Sequence, residues 1–177
     1  MNMGYEYLIS GLPDISANSP APLSMEALEE LLDEQLRPKD KEQLAKLKMY
    51  IRQGACDFIV DWIDFNRDLN NVLTAEVCRK HGLKAEKYII GELPDEVEPE
   101  VKAVSKMDNL YNRERQIDAI RFAWLEERTR MINFSLENVL AYYLMNKMLN
   151  RWAPLTAEKG ETVFREMVAD MKKGIKL

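Results

Sequence analysis

Apolar residues recur at helical spacing along most of this chain, and only one stretch departs from that rhythm. Tyr5-Glu6-Tyr7-Leu8-Ile9-Ser10 is short, aromatic and loosely alternating, and Gly11, Pro13 and Asp14 stop it. This pattern predicts a single extended segment. One strand cannot build a sheet, so the segment must pack on helices, pair with a neighbour or pair with another chain. The remaining apolar residues must find their core through helix faces.

Those faces can be read in order. Ser16 to Pro22 reads as a surface linker, after which Ser24 caps a helix with Met25, Leu28, Leu31, Leu32 and Leu36 on one side and Pro38 as its stop. Asp40 is the expected cap of a second helix with the stripe Leu44, Leu47 and Ile51 and with Gly54 near its end. A long helix from about Cys56 to Lys80 turns Phe58, Ile59, Trp62, Ile63, Leu69, Val72, Leu73 and Val77 inward, and Gly82 suits the left-handed position beyond it. A short helix follows around Lys84 to Ile90. Gly91 to Glu100 holds five acids, two prolines and no base, which predicts an exposed acidic connector.

Beyond Pro99, the marks Val101, Val104, Met107, Leu110, Ile117, Ile120, Trp124 and Leu125 predict one long helix to about Met131, with a break near Asn112 as the alternative. Ser135 caps the next, whose face is Leu136, Leu140, Tyr143, Leu144 and Met148 and which Pro154 closes. Thr156 opens the last, with Val163, Phe164, Met167, Val168 and Met171. The expected fold is all-α: a multi-helix bundle with a short extended N-terminal segment. Residues 1–177 form a single helical domain, divisible into two sub-bundles meeting at the connector 91–100.

Composition narrows the chemistry. Lys and Arg number 25 against 30 Asp and Glu, a net charge of −5, so there is no global footprint for nucleic acid or anionic lipid. No charge-free stretch approaches a membrane span, and no leader with a basic start and apolar middle is present, so a cytosolic compartment is expected. The single histidine, His81, rules out the paired Glu-x-x-His motifs of di-metal bundles. Cys78 and His81 share a helix face, but two further metal ligands are missing unless Cys56 joins from across the core, and the cysteines read better as small core residues. No serine lies in a Gly-x-Ser-x-Gly context, and the glycines form neither nucleotide-binding motif. No catalytic residue, cofactor or metal is therefore expected.

Arg113, Arg115, Arg121, Arg128 and Arg130 cluster with Tyr111, Phe122 and Trp124, and acids three or four residues away interleave with them. The spacing is that of a solvated helix surface, with protein docking as the functional alternative and nucleic acid well behind. Arg79, Arg113, Arg115, Arg121 and Arg128 are the candidate partner contacts, because Arg is the charged side chain enriched at interfaces.

Three stretches carry a resemblance. Asp64-Phe65-Asn66-Arg67-Asp68-Leu69-Asn70-Asn71-Val72-Leu73, followed by Arg79-Lys80-His81-Gly82-Leu83 and Ile89-Ile90-Gly91-Glu92-Leu93, resembles a pattern in the socket component of V-type and archaeal-type ATPases, the part designated C or d. Leu136 to Leu144, continuing to Arg151-Trp152, is similar to the Tyr-bearing last helices of that socket. The opening, Tyr5 to Asp14, resembles a small uncharacterised bacterial family encoded beside V-type ATPase subunits. The resemblance implies a non-catalytic, all-helical part that joins the central stalk to the membrane proteolipid ring, cytoplasmic and peripherally associated with the membrane through those partners. The chain is too short for the three related bundles of the socket, so the resemblance points to a reduced version or an assembly factor. The alternative expectation is a helical adaptor or regulator with an unrelated partner, or a homodimer formed through an apolar helix face or the N-terminal edge.

Overall fold

A computed structural model describes residues 4–94, 97, 99–154, 162 and 165–168. Its helices are α1 (Glu6–Gly11), α2 (Met25–Gln35), α3 (Pro38–Met49), α4 (Asp57–Lys80), α5 (Pro99–Ser105), α6 (Leu110–Thr129) and α7 (Leu136–Trp152), with one 3-10 turn at Ala85–Lys87. No strand occurs among the described residues, and the chain is an all-α bundle. The last predicted helix, from Thr156, lies outside the described residues except for 162 and 165–168, which are helical.

The N-terminal segment is a helix, not the extended strand its alternation suggested. Tyr5 and Leu8 are buried and Tyr7 is 94% exposed, so the spacing that governs is three, the helical one. A lone strand would leave its backbone groups unpaired, whereas here the Ile9 N–H reaches the Tyr5 carbonyl at 2.9 Å and the Tyr5 N–H reaches the Phe134 carbonyl at 2.7 Å. The Tyr5 hydroxyl donates to the buried Asp40 carboxylate and accepts from Arg37 Nε at 3.2 Å, which pins α1 to the start of α3.

Other boundaries moved for local reasons. Ser24 caps α2 as expected, its Oγ accepting from the Ala27 N–H at 3.1 Å. Pro38 opens α3 at its first position, where a missing N–H costs nothing, and Asp40 sits inside the first turn instead of capping it. That helix ends at Tyr50, whose φ of 54° is left-handed, before Gly54 is reached, and this leaves Ile51 exposed. The predicted helix after Pro99 is two helices, because the Asn109 side chain accepts from the Asn112 N–H at 2.9 Å and starts α6 afresh. Ser135 caps α7 through a reciprocal capping box with Asn138.

At 24 residues, α4 is the spine of the bundle. Its first half packs Phe58, Ile59 and Trp62 against Leu28 and Leu32 of α2, Leu47 of α3, Leu125 of α6 and Leu140 of α7. Its second half contributes Leu69 to a smaller cluster with Val101 and Val104 of α5 and Ile117 of α6, and Phe65 touches both clusters. Phe65 stacks on Trp124 at 5.0 Å between ring centres, with Trp62 and Phe58 tilted against the same ring. The loop before α2 is fastened by Asn146, fully buried on α7. Its amide accepts from the Leu23 N–H at 3.3 Å and donates to the Leu23 carbonyl at 3.0 Å.

Candidate functional site

Two concave surfaces stand out. The first is a groove of about 650 Å³ between α4, α6 and α7, in which the apolar side chains of Met25, Leu144 and Met148 lie beside the polar ones of Asn66, Asn70, Asp118, Arg121, Lys147, Asn150 and Arg151. Its organising group is Asp118, a buried carboxylate on α6 with a side chain 10% exposed. Oδ1 accepts from Arg121 Nη1 at 3.1 Å, and Oδ2 accepts from Arg151 Nη2 at 2.6 Å and from the Trp152 indole N–H at 2.7 Å. Arg121 is also held through Nε by Asn66 Oδ1 at 2.9 Å, and Asn66 donates to the Trp62 carbonyl at 2.8 Å. The helix spacings explain the assembly: Asp118 and Arg121 are three residues apart, as are Lys147 and Asn150, while Asn66 and Asn70 are four apart. Trp62 lines the groove, only 3% exposed, and its indole N–H is buried with no acceptor.

The second surface is an apolar pocket of about 410 Å³ at the far end of α4, formed with α5, α6 and the segment that carries the 3-10 turn. Leu73, Cys78 and Ile117 form its walls, and Val77, Leu83 and Tyr88 line it while 42%, 51% and 57% exposed. Val77 therefore departs from the inward stripe predicted for it. The segment is shaped by Asn71 of α4, whose amide accepts from the Ile90 N–H at 3.0 Å and donates to the Ile90 carbonyl at 2.8 Å. Ile90 and Leu93 beyond it are also exposed.

The five arginines singled out from the sequence do not form one patch. Arg113 lines the apolar pocket and Arg121 the groove between α4, α6 and α7. The Arg115 guanidinium lies 5.0 Å from the centre of the Trp152 ring, over its face. Arg79 pairs with Glu76 at 2.6 Å and Arg128 with Asp61 at 2.8 Å, both at the surface. The Arg79 guanidinium, by hydrogen bonding, holds the Glu76 carboxyl below the usual range.

Cys56 and Cys78 lie at opposite ends of α4, 22 positions apart. A helix of that span puts them roughly 33 Å apart, so Cys56 cannot complete a site with Cys78 and His81. Burial pushes the Cys56 thiol up from its ordinary value, away from the reactive thiolate. Among the described residues, no group of three His, Cys, Asp or Glu side chains is placed to hold a metal ion. Nor is any helix among them long and apolar enough to cross a membrane.

A family model described as "Protein of unknown function (DUF2764)" matches residues 45–175. The chain belongs to the DUF2764 family. No curated protein and no solved structure matches it. The segment shared with the DUF2764 model runs from the end of α3 through α7, and it carries every residue of the apolar pocket and all of the groove except Met25. In this DUF2764 chain, sequence reasoning missed Asp118 as a hub and Lys147 as a groove residue. The available signal was polar side chains at core spacing: Asn66 falls between Trp62 and Leu69, and Asn146 between Tyr143 and Leu149.

Proposed function

We propose that this chain is a non-catalytic subunit or accessory protein of a bacterial V-type ATPase, cytoplasmic and held at the membrane through its partners. The resemblance of its helical stretches to the ATPase socket supports stalk and proteolipid-ring subunits as those partners. The observation that carries a docking role is the apolar pocket at the end of α4, where Val77, Leu83 and Tyr88 line a concave surface yet stay substantially exposed. Apolar surface of that kind gains free energy when a partner covers it. The Arg113 guanidinium stands in its lining with no side-chain hydrogen bond or ion pair among the described residues, available to orient an arriving acidic group. Val77 on α4 and Arg113 on α6 are carried by helices, which favours a positioning part over a flexible tether.

The test is a pull-down of the tagged full chain from its native membranes, with mass spectrometry of what is retained. Stalk and ring subunits in fixed proportion would make it a structural subunit, and recovery from partly assembled complexes alone would make it an assembly factor. Leu83→Asp and Arg113→Glu are expected to abolish co-purification while the helical circular dichroism is unchanged. Retention of no ATPase subunit would overturn the proposal and leave a helical adaptor with an unrelated partner.

A further inference from the structure

The groove between α4, α6 and α7 presents more positive charge and more hydrogen-bond donors than its own residues use. Its lining holds three cations, Arg121, Lys147 and Arg151, against the one carboxylate of Asp118, a surplus of two in a chain whose net charge is −5. Both oxygens of that carboxylate are already engaged. Lys147 is exposed, and its ammonium has no hydrogen bond or ion pair among the described residues. Glu29 feels its charge, but that carboxylate is taken up by Lys48 and Tyr143.

The arginines are held in place before any ligand arrives. Arg121 is fixed by Asn66 and Asp118 and Arg151 by Asp118, which leaves one terminal nitrogen of each guanidinium without a partner. A guanidinium oriented in this way loses little freedom when a carboxylate binds. Trp62 adds an independent sign. Its indole N–H is a buried donor without an acceptor, in a side chain that lines the same groove, and native proteins rarely leave such a group unsatisfied. At about 650 Å³ the groove is larger than one small inorganic anion fills, and it has room for several side chains.

We propose that this groove docks an acidic segment of a partner protein, whose carboxylates meet Lys147 and the free nitrogens of Arg121 and Arg151. The site is separate from the apolar pocket, and it holds whether or not the partner belongs to an ATPase. A fluorescein-labelled hexaglutamate peptide, followed by anisotropy against the full chain, tests it. Saturable binding with a Kd on the order of 10–100 µM is expected at about 0.05 M salt, weakening at about 0.15 M. Lys147→Glu reverses an unpaired surface charge and should weaken binding about tenfold or more with unchanged circular dichroism. Asn70→Leu, at an exposed position in the groove, should weaken it a few-fold, on the order of one lost hydrogen bond. Non-saturable binding, or equal binding by wild type and Lys147→Glu, would overturn the proposal. So would displacement of the peptide by inorganic phosphate where chloride of equal ionic strength has no effect, since that result would reassign the groove to a small phosphate-type anion.

Discussion

Replacing Asp118 by alanine removes one acceptor from three donors at once, and the structure allows the cost of each to be worked separately. Arg151 is about half exposed, so water replaces its lost partner and that pair is worth about 0–1 kcal/mol. The Trp152 N–H loses a charge-assisted bond at 2.7 Å in a half-buried position, about 1 kcal/mol. Arg121 is the expensive member: its side chain is 18% exposed and it keeps only Asn66 as a partner. Removing one side of a fully buried ion pair costs about 3–5 kcal/mol, but the groove admits water, so about 1.5 kcal/mol is the appropriate figure here. The total is about 3 kcal/mol, which for a chain of this length lowers Tm by roughly 6–12 °C. Urea denaturation followed by circular dichroism measures it. Arg121→Met made in the Asp118→Ala background should recover about 1.5 kcal/mol, because it removes the stranded guanidinium. A loss below 1 kcal/mol for Asp118→Ala, or a double variant showing the plain sum of the two single losses, would refute the assignment of Asp118 as the hub that holds α6 to α7.

Three further outcomes follow from local geometry. Asn146→Leu should destabilise by about 2–3 kcal/mol, since it strips the Leu23 N–H of its acceptor inside the bundle while Asn150 still serves the Leu23 carbonyl; denaturant titration reads the loss. Ser135→Ala should cost about 1 kcal/mol by opening the capping box of α7, and Asn138→Ala should cost more, because Asn138 also donates to the Ile132 carbonyl; thermal melts rank the two. Hydrogen bonds from Lys48, Arg52 and Arg79 hold the carboxyls of Glu29, Asp64 and Glu76 below their ordinary values. Their contribution is therefore fully present above the unfolded carboxylate pKa of about 4 and is lost as pH falls from there through the depressed folded values. A stability profile from neutral to strongly acidic pH should show that decline, and Glu29→Gln should remove the Glu29 share of it, leaving that of Asp64 and Glu76.

Much of the architecture was legible in the residue order. The apolar stripes of α2, α4 and α7 and the caps Ser24 and Ser135 are local features, set by spacing along one helix and by side chains that bond within their own first turn. The misreadings share a cause. Tyr5 to Ser10 is short enough to satisfy a period of two or of three, and its burial against Phe134 and Asp40, far along the chain, decides between them. Likewise Pro38 reads equally well as the stop of one helix or the start of the next, and Asp40 becomes an inner residue because Tyr5 and Arg37 reach it.

The candidate surfaces divide along the same line. Helical content, the lack of nucleotide motifs and the single histidine follow from the amino-acid sequence alone, because periodicity and residue type are properties of short segments. Which arginines are spoken for does not. Arg113, Arg115, Arg121 and Arg128 occupy one helix, yet one lines an apolar pocket, one lies over Trp152, one is clamped by Asp118 and Asn66, and one pairs with Asp61 across to α4. Only the packing of α4 and α7 against α6 sets those fates, since a charged side chain takes its role from the partner and the solvent that the fold brings to it.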